Sequence, residues 1–418
     1  YLKNEQPELA AKYFEKNFKN NVKGSLKEYL SYSLFNWSTF HKINYSKAKI
    51  LLGSADKRFN SIAKIQNVFM HCYYSHRSTE QNFKNLFAEK EIDYSRYKFF
   101  YSNYLHLKGE ANTAKKVIEQ SLDSHPKNLI IKQRKIDFDL KKNNDFENKF
   151  NCKNASNVMA ELFYITANLL SSQAAYSVSN FYLNLAMYLN PNFVSYKALY
   201  AENFYSAENL SESKKTYKKI KNKGNVYNWH AAKQIAIILL KEKKSEEALN
   251  FLKKNFKLIK NPDTYEIFEY AEFLKNNERF QESIILYSKI LKMIDKKHNI
   301  YHEVTEGRGV AYERSGDWDK AEKDLLSSLS SVPNQAYVIN YLAYSWIEKG
   351  LKINQSLEML EKANNLKKND GYILDSLGWA LFKLNRYKEA KKYLQQAVRL
   401  MPSDPIVNDH YGDSLWMI

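Results

Sequence analysis

The residues of this chain with the clearest spacing for chemistry are two histidines. His298 and His302 are four positions apart, so on one helix they would share a face and could bind a metal ion together. A protein zinc site uses at least three ligands, and no third histidine or cysteine lies near them in sequence. His71 and His76 are five positions apart, which is a poor geometry for two ligands on one helix. We therefore expect no metal site.

The sequence motifs of common active sites are also missing. There is no GxxxxGK[ST] loop to bind phosphate and no HExxH helix to bind zinc. Gly307, Arg308 and Gly309 do not form a dinucleotide fingerprint, because they fall inside a predicted helix where Gly309 is explained by packing. Only 11 glycines occur in 418 residues, so few sharp loops are available to present catalytic groups. We predict a protein that is not an enzyme and needs no cofactor.

Amphipathic helices are the elements that would position any binding residue. The segment Gly371–Pro402 predicts two such helices joined by a short polar turn. Asn385 in the turn is suited to ending a helix in the left-handed conformation, and Pro402 ends the second helix. Small residues on the apolar faces would let the two helix backbones approach closely. These faces comprise Leu374, Leu377, Gly378 and Leu381 in the first helix and Ala390, Leu394 and Ala397 in the second.

The same pattern recurs along most of the chain, with a period of about 34 residues. The small residue of the first helix falls at Gly309, Ala343, Gly378 and Gly412, at intervals of 34, 35 and 34 residues. The matching positions of the second helices are Ala321–Leu325, Ser356–Leu360 and Ala390–Leu394. Looser copies precede them. Repeats of this kind bury their core only between neighbours and build a superhelix with an extended concave face.

These residues resemble the tetratricopeptide repeat. Leu377–Gly378, Ala390 and Pro402 match its pattern directly, while Leu381 and Leu394 replace the usual Tyr and Phe. The resemblance implies an all-α fold, a right-handed α-solenoid of about eleven stacked helix-turn-helix repeats.

We expect the repeats to fall into four regions. Residues 1–126 would form degenerate N-terminal repeats, 127–156 an irregular repeat or hinge, 157–300 the central repeats and 301–418 the regular C-terminal repeats. The hinge is placed by Lys141–Asn154, which is polar and rich in turn-forming Asn. Tyr1–Phe18 would be the second helix of a further repeat.

The resemblance also implies where a ligand would bind, because the concave surface of tetratricopeptide repeats is lined mainly by the first helices. In the regular repeats this lining is aromatic and acidic, as expected of a peptide-binding groove. The strongest candidates are Tyr337, Asn340, Tyr344, Ile347, Tyr372, Asp375, Trp379, Phe382, Asp409, Asp413 and Trp416. The same surface would include Glu303, Glu306, Val310, Glu313 and Ile406.

The sequence leaves open whether three of the aromatic candidates contact a ligand. Tyr344, Trp379 and Trp416 could instead pack against neighbouring first helices. Asn340 could hold a peptide backbone, since its amide both donates and accepts hydrogen bonds. Some tetratricopeptide proteins hold a terminal carboxylate with a basic set of Lys and Asn residues, and that set is missing from these positions, so such a ligand is disfavoured.

The net charge of +18 allows a second hypothesis. Residues 302–418 contain 15 Lys+Arg and 16 Asp+Glu, so the excess lies in residues 1–301, with 49 and 30. This basic portion could bind RNA or an anionic membrane surface. Alternatively, coding bias could produce a solvated lysine-rich surface. The lysines are scattered rather than striped, which disfavours nucleic acid as a partner without excluding it.

Cys72 and Cys152 lie 80 positions apart and form no CxxC motif, so we predict no structural disulfide. No apolar run approaches the roughly 18 residues of a membrane span. The chain starts with Tyr1 inside a helical pattern, and we expect the natural protein to begin earlier. An export signal could belong to that earlier part.

A closer resemblance covers residues 300–418. Val338–Gly350, Gly371–Ala390 and Asn408–Trp416 are similar to exported bacterial tetratricopeptide proteins, some of them related to outer-membrane lipoproteins that act as adaptors for periplasmic proteases. This implies a non-catalytic scaffold or adaptor that binds a peptide or protein segment in its groove. It favours a periplasmic or outer-membrane-associated location over the cytoplasm. A further possibility is that the chain is the interaction region of a larger protein with another activity.

Overall fold

The computed structural model describes residues 26–53, 59–89, 91–140 and 148–418. Within these ranges the chain forms 22 α-helices and a short 3-10 helix at Phe40–Lys42. The described residues form no β-strand, although Asn148 and Phe193 make one isolated antiparallel bridge. The predicted all-helical class is therefore confirmed. The helix predicted at Tyr1–Phe18 lies outside the described residues.

Two compact units divide the chain, and their boundary falls between Lys260 and Asn261. We call them the N-terminal unit and the C-terminal unit. The helices of the N-terminal unit are α1 (Leu26–Thr39), α2 (Tyr45–Gly53), α3 (Asn60–Tyr73), α4 (Thr79–Ala88), α5 (Ser95–Leu107), α6 (Ala111–Ser124), α7 (Leu129–Asp139), α8 (Ala155–Ser172), α9 (Tyr176–Leu189), α10 (Val194–Ser206), α11 (Leu210–Ile220), α12 (Asn225–Lys241) and α13 (Ser245–Lys257).

The C-terminal unit contains the regular repeats. Its helices are α14 (Thr264–Lys275), α15 (Phe280–Leu291), α16 (Tyr301–Arg314), α17 (Trp318–Ser331), α18 (Ala336–Glu348), α19 (Ile353–Leu366), α20 (Gly371–Lys383), α21 (Tyr387–Leu400) and α22 (Pro405–Trp416). The even-numbered helices are the first helices of their repeats. Successive first helices pack against each other, α18 against α20 and α20 against α22, so they build a common face.

Close approach within a repeat depends on the small residues that the sequence places in phase. A Cβ atom built on Gly378 of α20 would lie 2.5 Å from Leu394 Cγ in α21. A Cβ on Gly309 of α16 would lie 3.0 Å from Leu325 Cγ in α17. Glycine therefore lets the leucine of the second helix sit directly on the first helix, as the sequence predicts.

The turn between the two helices has the same form in most repeats. In the repeat of α20 and α21, Asn385 has a φ of 59°, and the Arg386 N–H donates to the Leu381 carbonyl at 2.9 Å. This pairing closes a left-handed helix end and confirms the prediction for Asn385. Equivalent residues with positive φ are Ser75, Gly109, Ala174, Glu208, Lys243, Glu278, Gly316 and Gly350.

The N-terminal unit departs from a simple stack of neighbours. Helices α1 and α3 contact α8, and α7 contacts α12, although other helices intervene in sequence. Polar contacts accompany this packing: the Val226 N–H donates to Gln133 Oε1 at 3.0 Å, and Asn148 Nδ2 donates to the Tyr227 hydroxyl at 3.3 Å. In this unit, helices that are distant in sequence thus pack on each other in addition to their neighbours.

The prediction that the two cysteines stay unpaired is wrong. Cys72 at the end of α3 and Cys152 just before α8 form a disulfide, with their Cα atoms 5.9 Å apart. The contact of α3 with α8 brings them together, and a separation of 80 residues in sequence contains no sign of it. Phe150 packs beside this link against Phe69 and Phe100, with ring centroids 5.3 and 4.5 Å away.

Candidate functional site

The candidate site is the common face of the first helices in the C-terminal unit. Helix α18 contributes Tyr337, Asn340 and Tyr344, which recur on one side of the helix. The Tyr337 hydroxyl donates to Asp370 Oδ2 at 2.9 Å, and the Lys367 ammonium lies 4.0 Å from the centroid of the tyrosine ring. These contacts fix the exposed Tyr337 ring at one edge of the face.

Asn340 and Tyr344 lie further along α18 and are half-buried. Asn340 Oδ1 is enclosed by protein and has no hydrogen-bond partner among the described residues. Burial raises the pKa of the Tyr344 hydroxyl to about 12, and the carboxylates of Glu348 and Asp375 add to the effect, so this hydroxyl stays protonated at neutral pH. Ile347 is only 1% exposed and belongs to the core between helices.

Helix α20 contributes residues of two kinds. Tyr372 is 59% exposed, whereas Trp379 is 7% exposed and packs against the next first helix. The Trp379 ring stacks between Phe382, at 4.8 Å, and His410 of α22, at 3.9 Å. Trp379 therefore packs against a neighbouring first helix, which is one of the two alternatives that the sequence left open for it. Phe382 is half-buried beside it.

Asp375 of α20 is also buried and is occupied within the protein. Its carboxylate pairs with His410 Nδ1 at 3.0 and 3.1 Å. His410 thus contacts both Asp375 and Trp379, yet sequence reasoning did not select it. The only sequence signal is its position on α22, one residue after Asp409, on the face that turns towards α20.

Helix α22 presents its remaining candidates to solvent. Asp409, Asp413 and Ile406 are exposed, and Trp416 is 89% exposed. Gly412 lies between them, and a Cβ atom built on it would have no other atom within 4 Å. The end of the face is therefore apolar, acidic and open.

Helix α16 supplies the acidic part of the face. Glu303 and Glu306 are half-buried, while Glu313 accepts a hydrogen bond from the Tyr341 hydroxyl at 2.7 Å. Burial raises the pKa of the Glu306 carboxyl above its ordinary value; Lys275 opposes this rise, and Glu272 and Glu303 reinforce it. Glu303 and Glu306 are the acidic groups here that could accept a cation.

The two histidines considered as metal ligands, His298 and His302, are divided between a loop and helix α16. His298 falls between α15 and α16, where its Nδ1 accepts the Ile300 N–H at 3.4 Å. Within the described part of the chain, no three His, Cys, Asp or Glu side chains converge as a metal site. No helix in those same ranges is long and apolar enough to span a membrane.

The repeat pattern has direct counterparts in known proteins. Residues 371–404, covering α20 and α21, match the family described as tetratricopeptide repeat. This segment of the chain is therefore similar to a tetratricopeptide repeat. Stacked repeats of this kind build extended concave surfaces that repeat proteins use for binding.

Several relatives share parts of this array. A TPR repeat-containing protein of Pseudomonas aeruginosa is 30% identical over 143 residues, which are 34% of this chain and 23% of that protein. The chain thus matches about a quarter of the length of this curated relative.

Among solved structures, MamA from Desulfovibrio magneticus RS-1 is 19% identical over 42% of this chain and 97% of its own, with a TM-score of 0.35. YrrB, described as a TPR protein with an unusual peptide-binding site, is 19% identical over 43% of this chain and 89% of its own, with a TM-score of 0.31.

Proposed function

We propose that the protein is a non-catalytic scaffold that binds an extended segment of a protein partner on the first-helix face of the C-terminal unit. The surface that would make contact comprises Tyr337, Asn340, Tyr344, Tyr372 and Phe382, continued on α22 by Asp409, Asp413 and Trp416. Ile347, Asp375 and Trp379 would act beneath it, by holding the helices that carry these residues.

The observation that carries this proposal is the unpartnered Asn340 oxygen. A buried amide oxygen without a donor costs about 1–3 kcal/mol, and rotation of the half-buried Asn340 side chain towards the face would let a backbone N–H of a bound segment satisfy it. Tyr337 and Tyr344 flank Asn340 on the same helix, so a backbone held at Asn340 would place side chains against both rings. Tyrosine rings bury much area with few rotatable bonds, which suits them to this contact.

Charge supports a basic or neutral segment rather than an acidic one. The C-terminal unit contains 21 Lys+Arg and 23 Asp+Glu, whereas the N-terminal unit contains 43 and 23. Glu303 and Glu306 on α16 and Asp409 and Asp413 on α22 would meet a segment at the two ends of the face. Acidic segments would be repelled there.

The test uses a random peptide library displayed on phage and selected against the full chain. We expect selected peptides to lose affinity by at least about tenfold for the double variant Asn340→Ala, Tyr344→Ala, measured by fluorescence polarisation. The matched control is Leu326→Ala, an exposed residue on the second helix α17 of the same unit, which should leave affinity unchanged.

Circular dichroism of each variant checks that the helices remain folded. If no peptide is enriched, or if peptides bind the double variant as tightly as the original chain, the proposal is contradicted. Equal losses in the Leu326→Ala variant would show that binding does not occur on the first-helix face.

A further inference from the structure

The N-terminal unit has a cavity that is open to solvent and separate from the first-helix face described above. It has a volume of about 480 Å³ and is bounded by six helices, α3, α5, α7, α8, α10 and α12. This size is within the range of small-ligand sites, which are usually largely preformed. Its walls combine aliphatic and polar residues, and Ile65, Ile130, Ile165 and Leu199 are among the aliphatic ones.

The one arginine of this cavity is fully engaged by the protein. Arg96 Nε and Nη2 donate to the two carboxylate oxygens of Glu161 at 2.7 and 3.0 Å, and Nη1 donates to Ser195 Oγ at 2.8 Å. The guanidinium also lies over the Tyr164 ring, 3.8 Å from its centroid. Its charge is therefore balanced inside the wall, and the cavity offers no free cation to an anionic ligand.

Glu202 of α10 differs from Arg96. It lines the same cavity as Ile165 and Leu199, and its carboxylate has no hydrogen bond or ion pair within the described residues. Although the side chain is exposed to solvent, nearby protein atoms desolvate the carboxyl and raise its pKa above the ordinary value. This unpaired carboxylate belongs to a unit that has 43 Lys+Arg and only 23 Asp+Glu, where most carboxylates could find a cation.

A second carboxylate reinforces the negative character of the cavity. Asp93 accepts the Ser95 N–H at 2.7 Å and lies 3.6 Å from His125 Nε2. With Arg96 balanced by Glu161, the uncompensated charge of the lining is negative. A ligand that complements it has a cationic head and an apolar body.

We propose that this cavity binds a primary ammonium group attached to an aliphatic body, with the ammonium at Glu202 and the body against Ile165 and Leu199. Two sources share this chemistry, a lysine side chain and the free amino terminus of a peptide. Both would place three N–H donors at a carboxylate that has no hydrogen-bond partner among the residues that the structure describes.

Three short peptides serve as probes in isothermal titration at low salt with the full chain. Ac-Ile-Lys-Ile-NH2 carries only a side-chain ammonium, Ile-Ile-NH2 only an amino-terminal one, and Ac-Ile-Gln-Ile-NH2 is neutral. We expect one or both charged peptides to bind at least about fivefold more tightly than the neutral peptide. Which of them binds identifies the source of the ammonium.

The variant Glu202→Gln keeps the shape of the side chain and removes its charge. It should therefore bind the charged and neutral peptides with nearly equal affinity. Glu247→Gln, on the exposed surface of α13, is the matched control and should leave the preference for charged peptides unchanged. Because both side chains are exposed, neither variant is expected to disturb folding. Equal binding of charged and neutral peptides, no binding of any peptide, or an unchanged preference in Glu202→Gln would overturn the proposal.

Discussion

Trp379 connects three first helices of the C-terminal unit through its relationship with His410. The two rings stack with centroids 3.9 Å apart and planes 12° from parallel, which joins α20 to α22. The indole Nε1 donates to Glu348 Oε1 at 2.7 Å, which joins α20 to α18. The ring therefore fixes the spacing of the helices that present Tyr344 and Tyr372.

Replacing this indole should weaken the C-terminal unit. Trp379→Phe keeps an aromatic ring but removes the hydrogen bond to Glu348 and part of the stack on His410, so we expect the free energy of unfolding to fall by about 1 to 2 kcal/mol. Urea denaturation followed by circular dichroism measures the change. Trp416→Phe is the control, because Trp416 is 89% exposed and should change stability by less than about 0.5 kcal/mol.

Two glycines in the same repeat position should respond oppositely to alanine. Gly378→Ala would force a Cβ to within 2.5 Å of Leu394 Cγ, so we expect a loss of about 1 to 3 kcal/mol. Gly412→Ala meets no other atom within 4 Å and should gain up to about 1 kcal/mol from helix propensity. Thermal denaturation of both variants compares them directly. Similar effects of the two substitutions would contradict the role assigned to Gly378.

The disulfide should stabilise the N-terminal unit. Breaking the link between Cys72 and Cys152 frees a loop of about 80 residues, and the expected loss is about 2 to 4 kcal/mol. The measurement is the thermal midpoint with and without dithiothreitol. The double variant Cys72→Ser, Cys152→Ser should unfold at the lower midpoint in both conditions. A midpoint that does not respond to the reductant in the original chain would argue against the bond.

Glu306 should make stability depend on pH. Burial raises the pKa of its carboxyl in the folded state, so folding favours the protonated form, and stability falls as pH rises from the unfolded pKa through the folded one. We expect Glu306→Gln to be more stable than the original chain at pH 7, with no gain at pH 4. Urea denaturation at both values tests this, with Glu358→Gln on the exposed side of α19 as control.

The repeat architecture could be predicted from sequence because its signals are local. Gly309 and Gly378 recur in phase with Leu325 and Leu394, and each contact joins two helices that are adjacent in the chain. The left-handed conformation of Asn385 follows from its own residue type and the turn around it. Such features need no knowledge of distant parts of the molecule.

The candidate site was less accessible to the same reasoning. Tyr372 and Trp379 are both aromatic residues of α20, yet one is exposed and the other is covered by His410 of the following repeat. The residue pattern of one helix does not reveal where the next first helix packs on it. The disulfide and the cavity beside Glu202 depend on contacts between helices far apart in sequence, for which helical periodicity has no signal.

The packing of α1 and α3 on α8, and of α7 on α12, has a consequence for how the protein unfolds. A linear array of repeats loses its structure one repeat at a time, because each repeat depends only on its neighbours. Contacts between distant helices tie the N-terminal unit into one cooperative block, whereas the C-terminal unit keeps the neighbour-to-neighbour pattern. In native-state hydrogen exchange, the amides of α3, α7, α8 and α12 should therefore open together, while those of α14 to α22 should open repeat by repeat.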